Sequence, residues 1–411
     1  MPNDMQRPLL VSTGWSPLKG GVPSCNRSLA IALAEAGYPV VCLVEHAEQA
    51  EIADAHEHGV RLVNAARTPA GPDMMLPAPE ILELAPDVVI GHDRFTGPVA
   101  WAYARHLAQA RFVFIVHTAP PEIEPYKDSG RAAQVIAQRE AVTRQLAVSA
   151  DVVAAMGPRL RRYAADLLSD DSGPGHVVRL DPGLSPMDGS GSSARVRQAP
   201  AKHHVLVLGR TDDVVLKGLD IAARAVAAVA DRYSDAGLLV RGAPQDQCDS
   251  LHSKLARLSD LARERIDVRA YSVDAAELHR DLVRSAVCVM PSRVEGLGLV
   301  ALEAIAANTP VLVSSKSGTA ELLRELLGRS AEPMIVDVHD HQRRDTAAWA
   351  AALDGVLRDL PAALHYAGQV REQLAGRLKW SDTVATLVRA LRNDDASTAA
   401  SVAEAGTATH R

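Results

Sequence analysis

The chain has 411 residues, 47% hydrophobic and 23% charged, with 44 basic against 50 acidic side chains and a formal net charge of −6. That length suggests two or three domains at roughly 150 residues each, and the composition excludes a largely disordered chain. Neither sign of charge gathers into a long block, so nucleic acid and anionic membranes are not expected partners. No run approaches the ~18–20 apolar residues that span a bilayer, and the N-terminus lacks the pattern of a secretion signal. The four cysteines stand far apart with no CxxC, so neither a disulfide framework nor a structural zinc site is expected. A cytoplasmic protein follows.

Short β-branched runs alternate with Ala-, Leu- and Arg-rich helical stretches. Strands are expected at 9–12, 40–44, 60–63, 87–90, 112–116 and 151–154, with helices such as 24–36 and 130–148 between them. The strands are almost continuously apolar, which indicates burial on both faces, as in a parallel sheet covered by helices. Residues 184–201 are small, polar and aperiodic, a linker composition. The alternation then restarts with strands at 204–208, 238–240, 266–268, 286–290 and 310–313. Helical patterns follow at about 346–359, 361–378 and 381–392, and the Ala/Ser/Thr-rich tail 393–411 is expected to be disordered. The expected fold class is α/β, two Rossmann-like doubly wound domains. Their ligand-binding edges, at the C-terminal ends of the strands, would face across a cleft.

Four motifs carry candidate chemistry. After the first strand, Thr13 to Arg27 contains Gly20-Gly21, suited to a loop that closes on a substrate, or to a long turn capped by Ser24. It is not a Walker A loop, which would need glycine at 19 and lysine at 20. Next, His92 and His117 end adjacent buried strands, although any one of 15 histidines is more often structural than catalytic. In the second half, Val207 to Asp220 places Arg210 and Lys217 before a helix start, where a cation is unfavourable unless an anion is shared. Only seven residues are lysines, so Lys217 at that spot suggests a diphosphate partner; two solvated surface cations are the plain alternative.

The densest signal is Met290-Pro291-Ser292-Arg293-Val294-Glu295-Gly296-Leu297-Gly298, continuing into a helix that carries Glu303. Free N–H groups at that helix start form an anion site, and the two carboxylates can accept hydrogen bonds from sugar or ribose hydroxyls. Complementing the helix dipole, for Glu295, and ordinary exposure, for Glu303, are the competing readings. Gly296 to Ala301 also fits GxGxxA, but five residues separate it from the strand end, which argues against a dinucleotide fingerprint. His56-Glu57-His58 and His339-Asp340-His341 lack a third ligand in register, so no metal site is expected.

Taken together, Glu295 and Glu303 at seven-residue separation, Ala306 to Val311, Ser317 to Glu321, Gly209-Arg210…Lys217-Gly218 and Gly20-Gly21 resemble, in order and spacing, the retaining glycosyltransferases of family 4. The resemblance covers most of residues 9 to 390. It implies the GT-B fold, with an acceptor domain at 1–183, a linker at 184–201, a nucleotide-sugar donor domain at 202–360 and helices at 361–392 crossing back. It further implies that Arg210 and Lys217 bind the donor diphosphate, Glu303 the ribose, and Glu295 the region of the sugar. Backbone amides of Gly296, Leu297 and Gly298 would meet sugar hydroxyls and phosphate, Gly20 and Gly21 would cover the phosphate, and His117 would sit beside the sugar.

The implied mechanism is metal-independent front-face transfer of a hexose with retention, in which the leaving phosphate takes the acceptor's proton. No cofactor is implied beyond the nucleotide sugar itself, with a UDP-sugar the first expectation. The acceptor is expected near Arg94, Thr118, Glu122, Glu124 and Lys127. A non-catalytic nucleotide-sugar binding protein and a sugar-nucleotide epimerase are the alternatives. Two departures from the family pattern, Ser317 before Gly318 and Arg241 at a strand end, are expected to bear on donor choice.

Overall fold

Strands that are apolar on both faces need cover on both sides, and each half of the chain builds a parallel sheet flanked by helices. The computed structural model describes residues 7–16, 20–107, 110–127, 130–169, 176–184, 197–272 and 274–392. They fall into two compact units, one of residues up to 118, 134–182 and 380 onward, the other of 119–133 and 183–379.

In the first unit, β1 (Pro8–Ser12), β2 (Val40–Val44) and β3 (Val60–Asn64) are followed by a small antiparallel hairpin of β4 (Ala66–Thr68) and β5 (Gly71–Asp73). The sheet continues with β6 (Val88–His92), β7 (Arg111–Val116), β8 (Val152–Met156) and β9 (Val177–Leu180). Its order is β3-β2-β1-β6-β7-β8-β9, all parallel. Every residue of β1, β2, β6 and β8 is buried, as their unbroken apolar runs require. The order reverses between β1 and β6, which makes the loops after those strands the natural ligand crevice.

The second unit repeats the plan with β10 (His204–Leu208), β11 (Gly237–Ala243), β12 (Ile266–Ala270), β13 (Val287–Met290), β14 (Val311–Ser314) and β15 (Ile335–Val336). The order β12-β11-β10-β13-β14-β15 puts the reversal between β10 and β13. The hairpin, β9 and β15 were not among the expected strands. Each is short or at an edge, so none has the long apolar run that marks a central strand.

Two expectations about the chain's organisation change. Helix Leu360–Ala375 buries Leu364, Val370 and Leu374 in the cores of the second unit, so the return to the first unit begins at 380, not 361. Most of the expected linker, 185–196, and the tail from 393 lie outside the described residues. The ends of that linker are fixed in the second unit. The Leu184 N–H donates to the Leu378 carbonyl at 2.9 Å, and the Arg197 guanidinium donates to the carbonyls of Val283, Ser285 and Asn308 and to the Thr309 hydroxyl. Burial among carbonyls with no carboxylate pushes the Arg197 pKa down to about 10.

Candidate functional site

At the first unit's strand edge, the residues after β1 are anchored before they reach the glycines. Trp15 is buried, and its indole N–H donates to Asp54 at 2.6 Å. Arg27 donates to both oxygens of the same carboxylate, and the Ser16 N–H reaches Glu51 at 3.0 Å. Pro17 to Lys19 lie outside the described residues. Gly20 then caps helix Gly21–Glu35 at φ 119°, a conformation that favours glycine. Gly21 is therefore the first residue of a helix and not part of a loop. Ser24 lies in the first turn and does not cap it. Of that turn, the Gly21 and Val22 N–H groups have no intrahelical acceptor, which suits an anion, while Pro23 has no N–H and Ser24 donates to the Gly20 carbonyl at 3.1 Å.

His92 is fully buried at the end of β6. Its Nδ1 lies 2.8 Å from His117 Nε2, and its Nε2 lies 2.9 Å from Asn26 Oδ1. Asn26, on the helix that Gly20 starts, donates through Nδ2 to Cys42 Sγ at 3.3 Å. Burial drives the His92 pKa down to about 3 and, together with the nearby His92 ring, holds His117 well below the usual imidazole range. Both rings are neutral at physiological pH.

Asp93, the next residue, is buried in the left-handed region at φ 45°. Its carboxylate accepts from the His117 N–H at 2.9 Å and the Thr118 hydroxyl at 2.8 Å, tying the ends of β6 and β7 together. Burial pushes its pKa up to about 6 against those hydrogen bonds. Thr118, expected to touch an acceptor, thus holds Asp93. Arg94 stands over the exposed Phe95 ring at 4.1 Å. Glu122, Glu124 and Lys127, expected beside them, belong to the second unit, where Lys127 pairs with Glu124 at 3.5 Å and Asp213 at 3.9 Å.

In the second unit, three loops are locked into one another. Arg293 binds both oxygens of Asp220 at 2.8 and 2.9 Å, and its N–H donates to the Leu216 carbonyl at 2.9 Å. A Cβ on Gly218 would stand 2.0 Å from the Pro291 carbonyl oxygen, so only glycine lets these loops approach. On the other side, Gly318 donates to the Glu295 carbonyl at 2.9 Å and Thr319 to the Leu297 carbonyl at 2.8 Å.

The outcome is an ion pair of 2.7 Å between Lys217 Nζ and Glu295 Oε2, with the Ser292 hydroxyl donating to the same oxygen at 3.3 Å. Gly298, at φ 98°, caps helix Leu299–Ala306, so the amides of Gly296, Leu297 and Gly298 precede a helix start as expected. Glu303 is half-buried on that helix, and its carboxyl has no hydrogen-bond or ion-pair partner among the described residues. Burial alone pushes its pKa up to about 7. Arg210 is exposed and pairs with Asp212 at 2.7 Å. Lys217 and Arg210 therefore stand as two separately neutralised cations, not as a joined pair.

The two family departures have local explanations. Ser317 is fully buried and its side chain caps helix Gly318–Leu327 by accepting from the Ala320 N–H. Arg241 is buried with its guanidinium donors on Asp281, Glu277 and the Ala270 carbonyl, so neither side chain is left for a donor. Sequence reasoning missed Asn26, Asp93, Ser292 and Tyr271. The last is an exposed aromatic near enough to Arg210 for that charge to oppose the burial that raises its pKa to about 12. Asp93 directly follows a strand-ending histidine, and Ser292 directly follows Met290-Pro291; those positions were the available signals.

A family model described as "Family 4 Glycosyltransferase in conflict systems" matches residues 9–387. Glycogen synthase of Mycobacterium tuberculosis (strain ATCC 25618 / H37Rv) is 28% identical over 419 residues, covering 92% of each chain. D-inositol 3-phosphate glycosyltransferase of Kineococcus radiotolerans is 30% identical over 319 residues, 74% of this chain and 71% of that one. Among solved structures, sucrose-phosphate synthase from Thermosynechococcus elongatus superposes with a TM-score of 0.65 at 19% identity, covering 95% of this chain and 100% of the other. Anabaena Alr3699/HepE in complex with UDP-glucose gives 0.64 at 14% identity, covering 94% and 99%. The fold is that of the GT-B glycosyltransferases. No helix among the described residues is long and apolar enough to cross a membrane.

Proposed function

We propose that this chain, which belongs to the family 4 glycosyltransferases in conflict systems, moves a hexose-type sugar from a nucleoside diphosphate to a hydroxyl acceptor with retention of configuration. Glycosyl transfer from a nucleotide-sugar donor is the activity that the family and its relatives assign. The observation that carries the finer reading is the arrangement beside one helix start in the second unit. Lys217 is held there by Glu295, and Glu303 has no partner among the described residues.

In this reading the donor diphosphate takes Lys217 from Glu295 and Arg210 from Asp212. The two cations and the helix N–H groups stabilise the charge that develops as the sugar leaves. Transfer is then metal-independent, because these groups supply the positive charge that a divalent ion would otherwise bring. Glu303 accepts from the ribose hydroxyls, Gly20 and Gly21 cover phosphate, and His117 adjoins the sugar. The leaving phosphate oxygen takes the proton of the acceptor hydroxyl, so no protein nucleophile is required. UDP is the first choice of nucleotide, since the similar folds of HepE and of a trehalose-6-phosphate protein from E. coli were solved with UDP-sugars.

A thermal-shift panel of UDP, GDP, ADP, TDP and CDP, with chelator and then with magnesium, tests the donor half. A ligand at about 100 times its Kd adds roughly 2.7 kcal/mol, so the right base stands out, and an unchanged shift in chelator supports metal independence. A flat panel would favour a scaffold protein with a degenerate donor site, or a donor site that forms only once an acceptor is bound. Product analysis with and without a hydroxyl acceptor separates transfer from epimerisation, and the anomeric proton coupling of the product reads retention.

A further inference from the structure

The chain Cys42–Asn26–His92–His117 has two complete proton arrangements, one the reverse of the other, and the orientation of the Asn26 amide selects between them. Asn26 turns its Nδ2 toward Cys42 Sγ at 3.3 Å, where the sulfur accepts. That contact turns Asn26 Oδ1, an acceptor only, toward His92 Nε2 at 2.9 Å. His92 must then carry its proton on Nε2, and its Nδ1 is bare. A bare Nδ1 at 2.8 Å requires a donor opposite, so the His117 proton sits on Nε2. Burial keeps both rings neutral, so each carries a single ring proton. Asp93 bonds the His117 backbone and does not compete for its ring.

We propose that His92 is a positioning residue that fixes His117 as the Nε2–H tautomer, so that His117 offers Nδ1 as a hydrogen-bond acceptor to a hydroxyl of the transferred sugar. This rests on the reading of the site as one for sugar transfer. Asn26 and Cys42 set the direction of the whole chain, and His117 itself only receives it. A ring fixed in this way accepts and never donates. The site therefore discriminates against donors in which the facing hydroxyl is replaced by fluorine or hydrogen, because nothing then satisfies the bare nitrogen.

The test begins with the unaltered protein. Two-bond 1H–15N spectra of histidine-labelled protein at neutral pH should show Nε2–H and bare Nδ1 for both His92 and His117. A proton on His117 Nδ1 overturns the proposal. His92→Phe removes the acceptor and supplies the spectral assignment of its own ring. It should release His117 into a mixture of tautomers and lower kcat/KM for UDP-glucose about tenfold. Its affinity for UDP, which has no sugar, should stay unchanged. His92→Gln, which keeps a carbonyl oxygen for His117, should recover part of the loss. An equal loss of UDP affinity in His92→Phe, or no recovery by glutamine, would assign His92 a merely structural role. Absence of any transfer by the unaltered protein overturns the functional reading and with it the sugar's part. The spectrum reads the tautomer in either case.

Discussion

Lys217 Nζ lies 2.7 Å from Glu295 Oε2, although 78 residues separate the two in sequence. The pair is partly exposed, so its strength is modest. It is also a counter-ion that an incoming diphosphate must displace. Glu295→Gln should therefore bind UDP about two- to fivefold more tightly, the share of about 0.5–1 kcal/mol in such a pair, while transferring sugar more slowly. Lys217→Ala should lose transfer on the order of 10²-fold. Calorimetric UDP affinities and turnover rates decide this; UDP binding that weakens in Glu295→Gln would rule out the competition.

Glu303 titrates from a raised position, about 7 in the folded chain against an ordinary 4.5. A carboxyl with a raised folded pKa contributes stability that is present below pH 4.5 and is lost as pH rises through 7. Glu303→Gln should therefore gain on the unaltered protein between pH 5 and pH 8, by on the order of 1–3 kcal/mol at the upper end. The same change should raise the donor KM more than it lowers kcat. Thermal midpoints of both proteins across pH, with and without UDP, give the comparison. A difference that does not grow with pH would remove the buried, unpaired carboxyl from the account.

Gly218→Ala places a methyl 2.0 Å from the Pro291 carbonyl oxygen, at φ +66°. The loops carrying Lys217 and Glu295 must then part. A loss of at least about 2 kcal/mol is expected, together with loss of UDP binding. Gly376→Ala, with nothing within 4 Å and φ −81°, is the control and should fall within about 0.5 kcal/mol of the unaltered protein. Denaturant midpoints for the two variants distinguish a specific contact from a general intolerance of alanine.

Arg241 and Asp281 each show only 6% side-chain exposure, and removing Arg241 leaves the Asp281 charge only partly compensated, by Arg269. Arg241→Leu should destabilise by about 3 kcal/mol without changing the order in which the five nucleoside diphosphates stabilise the protein. A changed order would show that Arg241 bears on donor choice, as its departure from the family pattern suggests.

What the sequence made legible was periodic or glycine-marked. The central strands stood out because their apolar runs are unbroken, and the second unit's loops because Gly218, Gly296, Gly298 and Gly318 punctuate them. Gly21 was misjudged because a helix can begin inside a Gly-Gly pair once Gly20 takes a positive φ of 119°. Asn26 was invisible for a different reason. It lies within an ordinary helical pattern, and only the packing of that helix beside β2 and β6 brings it between Cys42 and His92. The setting of Arg241 was not legible because a lone arginine at a strand end carries no sign of the carboxylates that helix Ala275–Arg284 brings to it.

The ends of the polar stretch after β9 have a topological consequence. Leu184 and Arg197 are both fastened within the second unit, so the points where the chain leaves and re-enters the described residues belong to the same unit. Lengthening the chain between those two residues with a tag, or opening it there to create new termini, leaves the connections between the units at 182–183 and 379–380 as they are. A circular permutant cut at that point, with its old ends joined, is thus a route to reporters that leaves both strand edges untouched.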